Sequence, residues 1–211
     1  MSFSQKLLNI PAAEDSLPGR ETPITLTGVH AVNGNKITPP FPEEMSSAVV
    51  GMGCFWGAER IFWELEGVWT TAVGYSGGHT PNPTYEEVCS GLTGHAEVVL
   101  VVYQKELVDI RELLRVFWEN HDPTQGMRQG NDIGTQYRSG IWLSDQEDLA
   151  KAKEDLKLYE KSLINAGFDE IKTTVETQKD FYFAEEYHQQ YLYKNPNGYC
   201  GIAGTGVLCS R

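Results

Sequence analysis

The chain is 211 residues long, with 40% hydrophobic and 22% charged residues, as in ordinary water-soluble domains. This length suits one domain whose core needs no disulfides. The formal net charge of −12 argues against a general binder of nucleic acids or anionic membranes, which needs a basic surface. No apolar run is long enough to span a bilayer, and the N-terminus lacks the apolar centre of a secretory signal. We therefore expect a cytoplasmic protein.

The first 45 residues differ in composition from the rest of the chain. They contain six of the ten prolines, a residue that interrupts helices and central strands. We predict an extended N-terminal arm over residues 1–45, with a short strand near residues 24–29.

Regular structure is predicted from residue 46 onwards. Apolar periodicity predicts the order strand, helix, strand, strand, helix, strand, with one further short helix. The strands are 47–51, 68–76, 96–103 and 138–143, and the helices are 54–65, 85–90 and 110–120. This order indicates an α+β fold with a ferredoxin-like, split β-α-β core in two layers.

The chain after this core is predicted to add a helix at 146–165, a strand at 171–177 and a helix at 184–193. They complete a compact domain over residues 46–194. Residues 195–211 have no apolar periodicity and are rich in glycine, so we predict a mobile, coil-rich C-terminal tail.

The four cysteines are too few for a disulfide-stabilised scaffold, and no two have C-x-x-C spacing. Cys54 follows two glycines at the predicted start of a helix, where unpaired N–H groups and the helix dipole favour a thiolate. A lowered pKa would make Cys54 a nucleophile. The alternative is that Cys54 is a small buried hydrophobic side chain, and its position alone favours neither.

Polar and aromatic residues elsewhere could complete a site. Phe55 and Trp56 could line a pocket for a small apolar group such as a methyl. Glu97 precedes a strongly apolar strand, where desolvation would raise its pKa and suit it to general acid catalysis. The alternative for Glu97 is a solvated carboxylate. Tyr85 and Tyr137 lie beside loops and could donate hydrogen bonds to a substrate.

Two further features lie in loops and in the tail. Asp132 ends a long polar loop and either orients a substrate or caps the loop. Packing does not explain thiols in a glycine-rich tail, whereas disulfide exchange with a sulfenic acid does. We therefore predict a relay from Cys54 to Cys200 to Cys209, with Cys89 as a spectator.

Four ordered blocks resemble the peptide methionine sulfoxide reductase A family. They are Gly-Cys-Phe-Trp-Gly at 53–57, Gly-His-Ala-Glu at 94–97, Gly-Thr-Gln-Tyr-Arg-Ser at 134–139 and His-Gln-Gln-Tyr-Leu at 188–192. The match runs from about Ala48 to Cys209. The proline-rich arm and the two tail cysteines resemble the three-cysteine members, which thioredoxin recycles.

The resemblance implies a role for each candidate residue. Cys54 would attack the sulfoxide sulfur while Glu97 protonates its oxygen. The substrate would be held by five residues, namely Phe55 and Trp56 at its methyl group, Tyr85 and Tyr137 at its oxygen, and Asp132 beside it. Cys200 would form a disulfide with Cys54, and Cys209 would pass it to thioredoxin. The family reduces the S epimer of methionine sulfoxide, free or in proteins, which repairs oxidised proteins, and needs no metal or bound cofactor.

Two other functions fit part of the sequence. A peroxidase or general thiol oxidoreductase would also cycle a sulfenic acid, but it would need no aromatic methyl pocket. An aromatic-lined binding module would explain the aromatic residues, but not Cys54 or the tail thiols. We expect a monomer whose partners are oxidised proteins and thioredoxin, with no nucleic-acid or membrane partner.

Overall fold

The structure, a computed structural model, describes residues 7–209. The longer strands are β1 (Met45–Met52), β2 (Val68–Ser76), β3 (Ala96–Gln104) and β6 (Ser139–Leu143), and the short ones are β4 (Arg128–Gln129), β5 (Asp132–Ile133), β7 (Thr174–Thr177) and β8 (Phe181–Phe183). The helices are α1 (Phe55–Trp63), α2 (Tyr85–Cys89), α3 (Ile110–Glu119), α4 (Gln146–Asn165) and α5 (Tyr191–Lys194). No helix within residues 7–209 combines the length and apolarity of a membrane span.

The central sheet is six-stranded and mixed, in the order β7-β6-β1-β3-β2-β8. The strand β1 pairs antiparallel with β3 and β6, and β2 pairs antiparallel with β3 and β8. Only β6 and β7 are parallel within this sheet. The α+β class is thus confirmed. The candidate residues Cys54 and Glu97 lie where β1 runs into α1 and at the start of β3, respectively.

Polar residues immediately before the helices fix where α2, α3 and α4 begin. The Asp109 side chain accepts hydrogen bonds from the first-turn amides of α3, and Asp145 does the same for α4. Thr84 and Glu87 form a reciprocal capping box at α2. The N-cap of α1 is Cys54, whose side chain makes no such cap, and this leaves its sulfur available for chemistry.

Both faces of the sheet are buried, which explains the near-continuous apolar run of β3. One face packs against α1, α3 and α4, with Phe62, Phe117 and Tyr159 among the buried contacts. The other face, including Val98 and Trp142, is covered by residues from the N-terminal 45 residues. Ile37 is one of these and is completely buried. Residues of the N-terminal segment therefore belong to the hydrophobic cluster on this second face of the sheet.

The predicted strand at 24–29 is wrong. The segment forms a single isolated bridge between Val29 and Lys36. Its neighbouring contacts use polar groups, since the Thr27 N–H and hydroxyl both bond with Glu186. Side-chain partners thus satisfy this backbone in place of a ladder.

The predicted helix at 184–193 is also wrong. This segment follows β8 as an irregular loop, and only its last residues enter α5. The Gln189 side chain is fully buried and bonds with both the N–H and C=O of Val73. Gln190 has φ +47° and donates to the buried Glu59 carboxylate. Tertiary hydrogen bonds to α1 and β2 thus override the apolar periodicity.

The C-terminal segment contains no helix or strand between residues 195 and 209, in line with the predicted coil. It nevertheless contacts the domain. Tyr159 Oη donates to the Val207 carbonyl at 2.9 Å, and the Cys209 N–H donates to Glu119 Oε1 at 2.9 Å. The predicted mobility of this tail stays a prediction.

Candidate active site

Cys54 lies at the turn from β1 into α1. Gly53 before it has φ +91°, and a Cβ there would lie 2.5 Å from Gln129 Cβ, so the turn requires glycine. The backbone N–H of Trp56 lies near the Cys54 sulfur and lowers the pKa of the thiol, although it makes no capping hydrogen bond. The half-buried thiol is therefore held at the predicted helix start.

Glu97 is hydrogen-bonded directly to the start of α1. Its side chain is only 2% exposed, and its Oε2 accepts a hydrogen bond of 3.1 Å from the Phe55 N–H. The first amide of α1 thus fixes the carboxylate next to Cys54. The alternative of a solvated Glu97 is wrong.

The predicted lowering of the Cys54 pKa is also wrong. Burial raises the pKa of this thiol above its usual value, the Glu97 charge raises it further, and the Trp56 N–H opposes both effects. The helix start faces a closed, acidic site and not solvent, which is why burial and like charge dominate. Protonation of Glu97 would remove one of the two largest effects that oppose the thiolate.

The aromatic wall next to Cys54 depends on His188, whose role sequence reasoning missed. Phe55 is 1% exposed, and its ring lies 5.1 Å from the imidazole of His188. Trp56 Nε1 donates to His188 Nδ1 at 3.0 Å, and its indole stacks on Tyr191 at 3.9 Å. His188 lies in one of the four sequence blocks that carry the resemblance. Nothing in the sequence of that block indicated that it would accept a hydrogen bond from Trp56.

Both candidate tyrosines lie close to Glu97. Burial raises the pKa of Tyr85 and of Tyr137, and in each the next cause is the Glu97 charge. Asp132 and Cys54 also raise the pKa of Tyr137. These side chains therefore converge on one region, as the sequence indicated.

Two residues connect this region with its surroundings. Asp132 Oδ2 accepts a hydrogen bond of 3.2 Å from Tyr199 Oη, which brings the start of the tail to the site. Cys89 hydrogen-bonds with Tyr85 and so borders the site. Its assignment as a spectator stays a prediction.

The structure brings Cys200, but not Cys209, to α1. A Cβ added at Gly57 would lie 3.0 Å from Cys200 Sγ, and Arg60 donates to the same sulfur at 3.3 Å. Cys209 instead lies against α3, where burial followed by the Glu119 charge raises its pKa to about 12. Cys200 therefore lies against the helix that begins at Cys54, whereas Cys209 lies against α3.

No group of three or more His, Cys, Asp or Glu side chains within residues 7–209 has a geometry that could hold a metal ion.

Comparison with known proteins establishes the family. The family model described as "Peptide methionine sulfoxide reductase" matches residues 46–207. The chain therefore belongs to this family of oxidoreductases and is an enzyme. The resemblance read from the four sequence blocks is confirmed, while membership of the three-cysteine type stays a prediction.

Individual relatives agree over nearly the whole chain. A protein of Rhodospirillum centenum named peptide methionine sulfoxide reductase MsrA is 58% identical over 207 residues, which cover 98% of this chain and 94% of the relative. Among solved structures, methionine sulfoxide reductase A of Corynebacterium diphtheriae has a TM-score of 0.86 and 43% identity, covering 95% of this chain and 98% of its own. Mxr1 of Saccharomyces cerevisiae in complex with Trx2 has a TM-score of 0.50 and 25% identity, covering 73% and 89%.

Proposed function

We propose that this protein reduces the S epimer of methionine sulfoxide, free or in proteins, and thereby repairs oxidised proteins. The observation that carries the proposal is the pairing of Cys54 with Glu97 at the start of α1, where the Phe55 N–H binds the carboxylate at 3.1 Å. A sulfoxide sulfur is a weak electrophile until its oxygen is protonated. A nucleophile and an acid fixed at one helix start meet both requirements.

The reaction balances without an added cofactor. The Cys54 sulfur attacks the sulfoxide sulfur, and the Glu97 proton passes to the sulfoxide oxygen. The oxygen then moves to the Cys54 sulfur as the bonds from the substrate sulfur to that sulfur and to the oxygen break, so Cys54 becomes a sulfenic acid and methionine leaves as the thioether. The substrate sulfur is reduced and the Cys54 sulfur is oxidised by the same two electrons.

The remaining side chains bind the substrate. Phe55 and Trp56 would contact the S-methyl group, which suits apolar rings held by His188 and Tyr191. A further three residues would bind the polar end, namely Tyr85 and Tyr137 at the oxygen and Asp132 beside the substrate. The proximity of both phenols to Glu97 supports this assignment.

Recycling would proceed through the tail. Cys200 attacks the Cys54 sulfenic acid and releases water, and its position at Gly57 supports this step. Cys209 then attacks Cys200 and presents a disulfide to thioredoxin. The complex of the yeast relative with Trx2 supports an external protein reductant.

We also infer a cytoplasmic monomer with an arm over 1–45, a catalytic domain over 46–194 and a recycling tail over 195–211. The order β6-β1-β3-β2 within the sheet supports a ferredoxin-like, split β-α-β core for the catalytic domain.

The test is reduction of a methionine sulfoxide peptide supplied as its two separate epimers, with thioredoxin and its reducing system, and thiol counting after a single turnover without reductant. We expect the S epimer alone to be reduced and two thiols to be lost per methionine before recycling. Cys54→Ser is the control and should be inactive. An enzyme that ignores the S epimer, or that consumes hydrogen peroxide faster than the sulfoxide, would overturn the proposal.

A further inference from the structure

We propose that Arg60 is a catalytic residue of the recycling step, in which its guanidinium binds the Cys200 thiolate as that sulfur attacks the Cys54 sulfenic acid. The inference rests on the proposed function, because it assumes that Cys200 is the first resolving thiol. The contact that carries it is the hydrogen bond of 3.3 Å from Arg60 Nη2 to Cys200 Sγ. Within residues 7–209 this is the one side-chain hydrogen bond of the Arg60 guanidinium, and no carboxylate pairs with it.

The position of Arg60 on α1 supports this role. Cys54, Gly57 and Arg60 follow one another at intervals of three residues, and residues so spaced lie on one side of a helix. The nucleophile, the glycine beneath the Cys200 sulfur and the guanidinium therefore form a row along α1. Cys200 contacts this row at Gly57 and Arg60, and it also affects the pKa of Cys54.

Gly57 makes this approach possible. A Cβ at this position would lie 3.0 Å from Cys200 Sγ and 2.8 Å from Ile202 Cγ2, both closer than ordinary contacts. Glycine within a helix is unfavourable in itself, so the close approach of the tail accounts for its presence. Ile202 packs against the main core, which fixes the tail next to Cys200.

The chemistry needs a cation at this point. The thiolate, not the thiol, attacks sulfur, and a nearby guanidinium stabilises the thiolate without giving up its own proton. The Cys200 electron pair forms the S–S bond while the S–O bond of the Cys54 sulfenic acid breaks. The leaving hydroxide takes a proton from solvent and departs as water. Cys200 is oxidised and the Cys54 sulfur is reduced, so no further reactant is required.

The experiment separates the two chemical steps in the full-length protein. Methionine formed from the S epimer without reductant reports the first step, and the decay of sulfenic acid that a dimedone-type probe can trap reports the second. For Arg60→Gln we expect the first step to be unchanged and the second to slow about tenfold at neutral pH. The pH midpoint of the second step should move upwards, and Arg60→Lys should recover part of the rate.

Two further variants serve as controls. Arg111→Gln removes an exposed arginine that pairs with Glu154 and Asp155 and should leave both steps unchanged. Gly57→Ala should displace Cys200 from the row along α1 and slow the second step, which tests the contact without removing the Arg60 charge. If Arg60→Gln folds poorly, Gly57→Ala and Arg60→Lys keep the proposal testable, since both should slow the second step relative to the first.

The outcomes distinguish this inference from the proposed function. Disulfide formation in Arg60→Gln with the wild-type rate and pH profile would overturn the role of Arg60 and leave the proposed function intact. An equal loss in both steps would show a merely structural role and would also overturn it. A wild-type protein that forms no methionine in the first turnover would instead refute the proposed function.

Discussion

The start of α1 and the C-terminal tail hold their reactive groups in different ways. At the helix start, the residues that surround the candidate nucleophile are buried: Glu97 is 2% exposed, and His188, which contacts Phe55 and Trp56, is 1% exposed. In the tail, Cys200 and Cys209 lie in a segment without regular structure and contact the domain through isolated side chains. The first region is buried within the core, whereas the second lies at the edge of the core, against which Ile202, Val207 and Cys209 pack while only partly buried.

This difference matches the two chemical tasks that we propose. Attack on a sulfoxide needs a nucleophile and an acid at fixed distances, which a buried helix start provides. Disulfide relay needs thiols that change partner, which requires a segment that local contacts hold weakly. Cys209 illustrates the need for a change of partner. In its docked position, burial and then the Glu119 charge raise its pKa to about 12, which disfavours the thiolate.

The largest effect on activity is expected at the start of α1, in the variant Glu97→Gln. Loss of the acid should slow methionine formation by about 10²–10⁴-fold. Removal of the Glu97 charge should at the same time lower the Cys54 pKa, so iodoacetamide should alkylate Cys54 faster near neutral pH. Single-turnover kinetics and alkylation rates across pH measure both. Glu112→Gln, at an exposed ion pair with Arg115, is the matched control. Unchanged rate and pH profile in Glu97→Gln would remove Glu97 from the mechanism.

The next effect tests the tail, in Cys209→Ser. Methionine formation in the first turnover should stay at the wild-type rate, because Cys209 lies against α3 and away from α1. Turnover driven by thioredoxin should fall by about tenfold, because the disulfide then stays between Cys54 and Cys200. Steady-state kinetics with thioredoxin check this. Full turnover in the variant would place the exit disulfide at Cys54–Cys200.

A smaller effect is expected in the aromatic wall, in His188→Ala. The variant removes the acceptor of Trp56 Nε1, and an indole N–H without its buried partner costs about 1–3 kcal/mol. We expect a weaker hold on the methyl group and a KM several times higher, with little change in kcat. His188→Asn, which can still accept a hydrogen bond, should restore part of the loss. A wild-type KM in His188→Ala would contradict this role.

The smallest effect on activity and a clear effect on stability are expected in Glu59→Gln. Glu59 is fully buried, and burial raises its pKa from 4.5 to about 7. The Glu59 carboxyl therefore binds a proton more tightly in the folded state than in the unfolded state. The stability that this protonation contributes is fully present below pH 4.5 and is lost as the pH rises to about 7. The free energy of unfolding should fall by about 3 kcal/mol over this range from Glu59 alone. Urea unfolding at several pH values should show a flatter dependence in the variant, and an identical slope would contradict it.

The sequence predicted the longer strands and the helices between residues 46 and 165 well, because their apolar periodicity and capping residues are local signals. The helix α4 was predicted with its observed ends, and β2 likewise. Prediction failed at 24–29, where Thr27 bonds with the distant Glu186, and at 184–193, where the buried Gln189 bonds with β2. No local pattern contains those partners.

The sequence by itself determined the family and the candidate nucleophile, since Gly-Cys-Phe-Trp-Gly and the other blocks are local and specific. Only the tertiary structure decided the electrostatics of Cys54, because its pKa depends on burial and on Glu97, a residue from another strand. The contact of Arg60 with Cys200 likewise joins residues 140 positions apart. Charge and desolvation act through space, so these properties follow from the folded arrangement and not from the order of residues.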